Sequence, residues 1–172
     1  MARVALTLLV LLVLAGCTSG GSDGADSDGH VSTEPTSSTA ISVPGAGCRT
    51  EYPASLLPEW ARAGFSDPRP SVPYVLGDKG DMAAIVWAPR NPLAAPPVPD
   101  KNNKILWVAR VGGADGPLQI RAALEGTRET VTRKVDPAPG PSIIDLPSPG
   151  CWSVDLTWGN HHDHMLLGYA SD

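Results

Sequence analysis

Residues 48–172 are expected to fold as an all-β sandwich of about seven or eight short strands. Two observations predict this. Apolar residues recur in short alternating or continuous runs, and helix-length periodic segments are scarce. Gly, Pro, Asn and Asp divide those runs. With 18 Gly and 18 Pro in 172 residues, the punctuation is dense enough to keep each regular element short.

The elements follow in chain order. Ala54–Ala63 (ASLLPEWARA) is the best helix candidate, because Pro58 and Glu59 suit the opening of a short helical turn. Tyr74–Leu76 is a brief strand and Met82–Ala88 a continuous apolar one. Lys104–Val111 alternates, with Ile105, Trp107 and Ala109 on one face and Leu106, Val108 and Arg110 on the other. Leu118–Leu124 sets Leu118, Ile120 and Ala122 against Gln119 and Arg121. Glu129–Val135 sets Thr130, Thr132 and Lys134 against Val131, Arg133 and Val135. Ser142–Leu146 is short and apolar. Cys151–Trp158 is the cleanest strand: Trp152, Val154, Leu156 and Trp158 face one way, Ser153, Asp155 and Thr157 the other. A Trp158-Gly159-Asn160 turn joins it in a hairpin to the final strand, Met165–Tyr169.

Upstream of this domain the chain reads differently. Arg3 precedes Val4–Ala15, an apolar run broken only by Thr7. A membrane span needs roughly 20 apolar residues, so this run is too short to cross and fits the apolar core of a secretion signal. Leu14-Ala15-Gly16-Cys17 resembles the lipobox of bacterial lipoproteins. Residues 1–16 are then the signal, and the Cys17 thiol accepts a thioether-linked diacylglycerol. Two or more acyl chains hold a protein stably on a membrane, where one holds it marginally. The alternative is a cleaved, secreted protein in which Cys17 is incidental. The lipobox reading places the protein on the extracytoplasmic face of the cell membrane. Residues 17–47 carry the lipid and a Gly/Ser/Thr/Asp-rich tether, too polar to offset the entropy of ordering it. As a flexible coil, the tether spans about 30 Å. His30, within it, reads as solvated.

The formal charge is -5, with both signs interspersed. No basic stripe is present, which argues against a nucleic-acid partner. Of three cysteines, Cys17 is assigned to the lipid. Cys48 and Cys151 remain as a pair in an oxidising compartment, and a structural disulfide is the default reading. Two free thiols or a redox pair are the alternatives, although redox pairs are usually closely spaced.

LPEWARAGFSDPRPSVPYVLG, NKILWVARVGG, GPLQIRAAL and PSIIDLPSPGCWSVDLTWG resemble segments of a family of small actinobacterial lipoproteins. The resemblance covers essentially all of residues 48–170. The PSPGCW element also resembles the penultimate strand of bacterial extracytoplasmic immunoglobulin-like domains. These resemblances imply an immunoglobulin-like sandwich and a compartment, and no catalytic residues. Cys48 precedes the strand region, so the spacing departs from a true immunoglobulin disulfide. The bridge is expected to pin the N-terminal arm to a C-terminal strand instead.

Four features bear on chemistry. His161-His162-Asp163-His164 is the only cluster of metal-type ligands. On a strand, His162 and His164 share one face, so at most two of the histidines converge, and a polar hairpin tip is the plainer reading. Gly77-Asp78-Lys79-Gly80-Asp81 has two carboxylates but lacks the ligand series of a calcium loop, and reads as a turn. Pro89–Asn103 (PRNPLAAPPVPDKNN) is a long loop with five prolines. Its stiff backbone is either a docking surface offering Leu93, Ala94, Ala95 and Val98, or a cover over a sheet edge. Among the five tryptophans, Trp107 and Trp152 fit core faces, while Trp60 or Trp158 suits a carbohydrate platform. No nucleophile elbow, phosphate loop or dinucleotide fingerprint occurs, and no cofactor is implied.

The expectation is a membrane-anchored, non-enzymatic lipoprotein that binds an envelope protein or a cell-wall ligand, or helps assemble an envelope complex. Leu93, Val98 and Trp158 are its expected contact residues. The alternatives are a metal-assisted cell-envelope hydrolase built on His161–His164, with His162 and His164 as ligands, and a carbohydrate-binding module.

Overall fold

The computed structural model describes residues 48–87 and 93–171. Residues 1–47, where the signal, Cys17 and the tether are expected, lie outside the described residues, as do 88–92, which include the start of the proline-rich loop, and 172.

Nine strands form among the described residues: β1 Ala54–Leu56, β2 Ser71–Leu76, β3 Met82–Val86, β4 Lys104–Ala109, β5 Leu118–Leu124, β6 Thr130–Val135, β7 Pro141–Ile143, β8 Gly150–Trp158 and β9 His161–Tyr169. They make two sheets, ordered β1-β2-β3-β4-β7 and β6-β5-β8-β9, with every pairing between these strands antiparallel. The described residues therefore form an all-β sandwich. Its strand order β3-β4-β7 against β6-β5-β8-β9 is the A-B-E against C′-C-F-G arrangement of immunoglobulin-like Greek keys, with β1 and β2 added at the A edge.

The core lies between the sheets. The inward residues of β8, Trp152, Val154, Leu156 and Trp158, meet Met82, Ala84 and Val86 of β3 and Ile105 and Trp107 of β4 in one cluster. Three indoles are fully enclosed, and each ring N–H has an acceptor: Trp107 donates to Ser142 Oγ at 3.0 Å, Trp152 to Ser148 C=O at 3.0 Å and Trp158 to Val111 C=O at 2.9 Å. A buried indole without such a partner leaves an unpaired donor, so these contacts fix where each ring sits.

All five residues of β3 are buried. Continuous apolar sequence is what a strand covered on both faces requires. The second cover is the 57–65 segment: Leu57 and Ala61 pack on Ala83 and Ile85, flanked by Trp60 and Phe65. Helix does not extend over Ala54–Ala63, although the short turn expected to open at Pro58-Glu59 is present. Residues 54–56 pair with β2, and only a single 3-10 turn, Glu59–Ala61, follows. Pro58 explains the difference, because it lacks the N–H that an α-helix begun at Ala54 needs.

Cys48 and Cys151 are disulfide-bonded, with Cα atoms 5.5 Å apart. The bridge fixes the arm before β1 to β8. Gly168 of β9 lets the arm lie close: a Cβ there would sit 2.3 Å from Arg49 O.

Candidate functional site along the free edge of β9

The hairpin tip is smaller than expected. Only Gly159 and Asn160 form the turn, and the histidine cluster opens β9. Its register pairs Trp158 with His161, Thr157 with His162, Leu156 with Asp163 and Asp155 with His164. Alternate residues therefore point to opposite faces.

The three histidines have separate partners. His161 Nε2 lies 3.1 Å from Asp115 Oδ2, and its ring stacks on Trp158 at 5.7 Å. His162 Nε2 contacts Lys79 Nζ. His164 Nδ1 lies 2.8 Å from Asp78 Oδ2, and its Nε2 lies 3.0 Å from Ser153 Oγ. His162 and His164 share a face and contact different partners, and no group of three His, Cys, Asp or Glu among the described residues could hold a metal ion.

Asp163 is the anchor of this region. Its carboxylate is buried at 3 % exposure. Oδ1 accepts the backbone N–H groups of Lys79 at 2.9 Å and His164 at 2.8 Å. Oδ2 accepts those of Asp81 and Met82, both at 3.0 Å. Burial pushes the carboxyl up, but the four N–H groups together outweigh it and hold the pKa below its ordinary value. The Gly77–Asp81 turn is thereby clamped to β9. Glycine is required at 77, since a Cβ there would fall 2.2 Å from Asp163 Oδ2.

β9 ends its sheet, and its register leaves the backbone of alternate residues facing away from β8. Most of that edge is covered. His164 C=O accepts Asp78 N–H at 2.8 Å. The Tyr52 hydroxyl donates to Gly168 C=O at 3.0 Å and accepts Gly168 N–H at 2.7 Å. Burial raises that phenol to about 12, a shift partly offset by the Gly168 hydrogen bond. Ala170 N–H donates to Leu93 C=O at 2.8 Å, and Ala170 C=O accepts Ala95 N–H at 2.9 Å. Leu166, between these covers, has no hydrogen-bond partner on this edge among the described residues. A cleft of about 330 Å³ opens there, lined by Leu166, Tyr52, Tyr74, Val75, Leu76 and Arg49 among others.

The proline-rich loop takes the second of its two expected roles, a cover over a sheet edge, and not that of a docking surface. Leu93, Ala94 and Ala95 are buried, Leu93 completely, so they do not offer a contact surface. Val98 is half-buried. The loop covers the end of β9 and is tied down by Asn103. That buried side chain accepts Ala94 N–H and donates to Ala94 C=O, both at 2.9 Å, and also donates to Asp145 at 2.8 Å. Trp158 is likewise enclosed and has no free face for a sugar. The exposed aromatic is Trp87, 48 % accessible, with Phe65 at 5.7 Å.

Sequence reasoning marks Asp78 only as a turn carboxylate, unlinked to His164, and does not single out Ser153, Leu166 or Tyr52. Ser153 and His164 stand on adjacent strands, and Asp78 is 86 residues from its histidine. No spacing rule links such positions before the register of β8 and β9 is known. Comparison with protein-family models, curated proteins and solved structures finds no match for this chain.

Proposed function

We propose that this chain is a lipid-anchored extracytoplasmic protein whose sandwich domain binds an envelope protein or a cell-wall ligand. The observation that carries the reading is Leu14-Ala15-Gly16-Cys17 after an apolar run, followed by a polar tether that leads into a disulfide-closed domain. The disulfide supports the compartment, because such bonds persist where thiols are oxidised. The cleft beside Leu166 is the favoured contact site. Its free backbone N–H and C=O can take one extended residue of a partner, with Val75 and Leu76 as apolar walls.

Two measurements test this reading. Cys17→Ala is expected to lose detergent-phase partitioning and accumulate as precursor; unchanged partitioning refutes the anchor. A photo-cross-linker replacing Leu76 is expected to yield a discrete adduct in intact membranes, while one replacing Val131, on the opposite edge strand, does not. Identical patterns refute the placement at the cleft. The Trp87–Phe65 pair favours a second reading, carbohydrate binding by stacking, which quenching of tryptophan fluorescence by cell-wall fragments tests.

A further inference from the structure

Ser153, His164 and Asp78 form a continuous hydrogen-bonded chain on the outer face of the β8–β9 hairpin. Its connectivity is directional. Asp78 carboxylate is an acceptor, so Nδ1 of His164 carries the ring proton and donates it at 2.8 Å. Nε2 is then the free acceptor, 3.0 Å from the Ser153 hydroxyl. A serine hydroxyl is a weak nucleophile until a positioned base takes its proton, and a base held by a third group is the arrangement that activates it. Three further features bear on use. His164 is about one-third exposed, so the chain is accessible. Leu166, the cross-strand partner of Ser153, lines the cleft. Arg121 stands diagonal to Ser153 on β5, on the same face of the sheet, with its Nη1 3.6 Å from Asp155 Oδ2.

We propose that Ser153 is a catalytic nucleophile for small, apolar carboxylic esters, with His164 as its base and Asp78 as the residue that positions His164. Ser153 Oγ bonds to the ester carbonyl carbon while its proton passes to His164 Nε2. The bond from that carbon to the leaving alcohol breaks, and the alcohol departs with the proton from His164. Water, deprotonated by the same nitrogen, then attacks the acyl-serine. The acid is released and the serine proton restored. The acyl chain lies toward Leu166 and the cleft. This activity is additional to the binding role: it shares the Leu166 cleft, but its test reads the reactivity of Ser153 and not partner capture.

The full chain is treated with a fluorophosphonate, and adducts are located by mass spectrometry. Hydrolysis of p-nitrophenyl butyrate is followed in parallel. Ser153 is expected to react about 100-fold faster than exposed Ser55. Ser153→Ala abolishes both signals. His164→Gln removes the rate advantage, and Asp78→Asn lowers it by about tenfold with the melting temperature unchanged. Asp78→Glu recovers part of the loss, which a merely structural aspartate would not produce. Asp78 is largely exposed, so its variants decide the question even if His164→Gln fails to fold. Labelling of Ser153 no faster than that of Ser55, or undiminished in both Asp78→Asn and a folded His164→Gln, overturns the proposal.

Discussion

Replacing Asp163 with Asn changes one atom and tests what clamps the Gly77–Asp81 turn to β9. The side chain keeps its shape and one acceptor oxygen. If that oxygen stays with Lys79 and His164, the new NH₂ group faces the N–H groups of Asp81 and Met82. Two donors lose their acceptor, one of them on fully buried Met82. An unsatisfied buried donor costs about 1–3 kcal/mol, so the loss is put at about 2–4 kcal/mol. A domain of this size shifts by roughly 4 °C per kcal/mol, which predicts a fall in melting temperature of about 8–16 °C. The pH dependence follows from the same bonds. The folded carboxyl titrates below the unfolded one, so its stabilisation is full above the unfolded value, near pH ~4, and disappears as pH falls through the folded value. Calorimetry of wild type and Asp163→Asn from pH 7 downward checks this, because the substituted amide does not titrate. The gap is expected to be widest at neutral pH and to close below pH ~4. A fall under about 2 °C at pH 7, or a gap constant into strong acid, refutes the clamp.

The remaining predictions concern the covers of the β9 edge. Leu93→Ser is expected to cost about 2–4 kcal/mol in chemical denaturation, because it leaves both a cavity and a buried hydroxyl, whereas Val98→Ser costs under about 1 kcal/mol; equal effects would contradict the burial of Leu93. Tyr52→Phe removes a hydroxyl that serves both Gly168 groups and should cost about 1–3 kcal/mol. The folded phenol, at about 12, titrates above the unfolded value of 10.0, so wild-type stability is full below pH 10 and declines as pH rises toward 12. Alkaline denaturation of Tyr52→Phe is expected to be shallower over that interval, and identical slopes would show that Tyr52 is not the titrating group.

Much of the fold is legible in the sequence because strand periodicity is local. Alternation in Leu118–Leu124 and in Cys151–Trp158 marks which side chains face inward, and the observed burial of Leu118, Ile120, Trp152, Val154 and Leu156 follows it. The pairing of Cys48 with Cys151 follows from the count once Cys17 is set aside for the expected lipid. Ala54–Ala63 misleads only in extent: the turn opened at Pro58-Glu59 forms, while residues 54–56 pair with β2. Leu93 and Trp158 mislead for a related reason. An apolar residue in a loop, or at the end of a strand, looks exposed until the element covering it is known.

The all-β class, most strand positions and the hairpin turn at Gly159 thus follow from local pattern, since each depends on residues near one another in the chain. The register between distant strands emerges only in the assembled fold. That register brings Asp163 under the backbone of residues 79–82, sets Asp78 against His164 and His164 against Ser153, and leaves Leu166 between covered neighbours. Contacts of a few ångströms between residues far apart in sequence depend on how two sheets and their loops close on one another. That closure is set by the packing of the whole core, for which no local pattern carries the information.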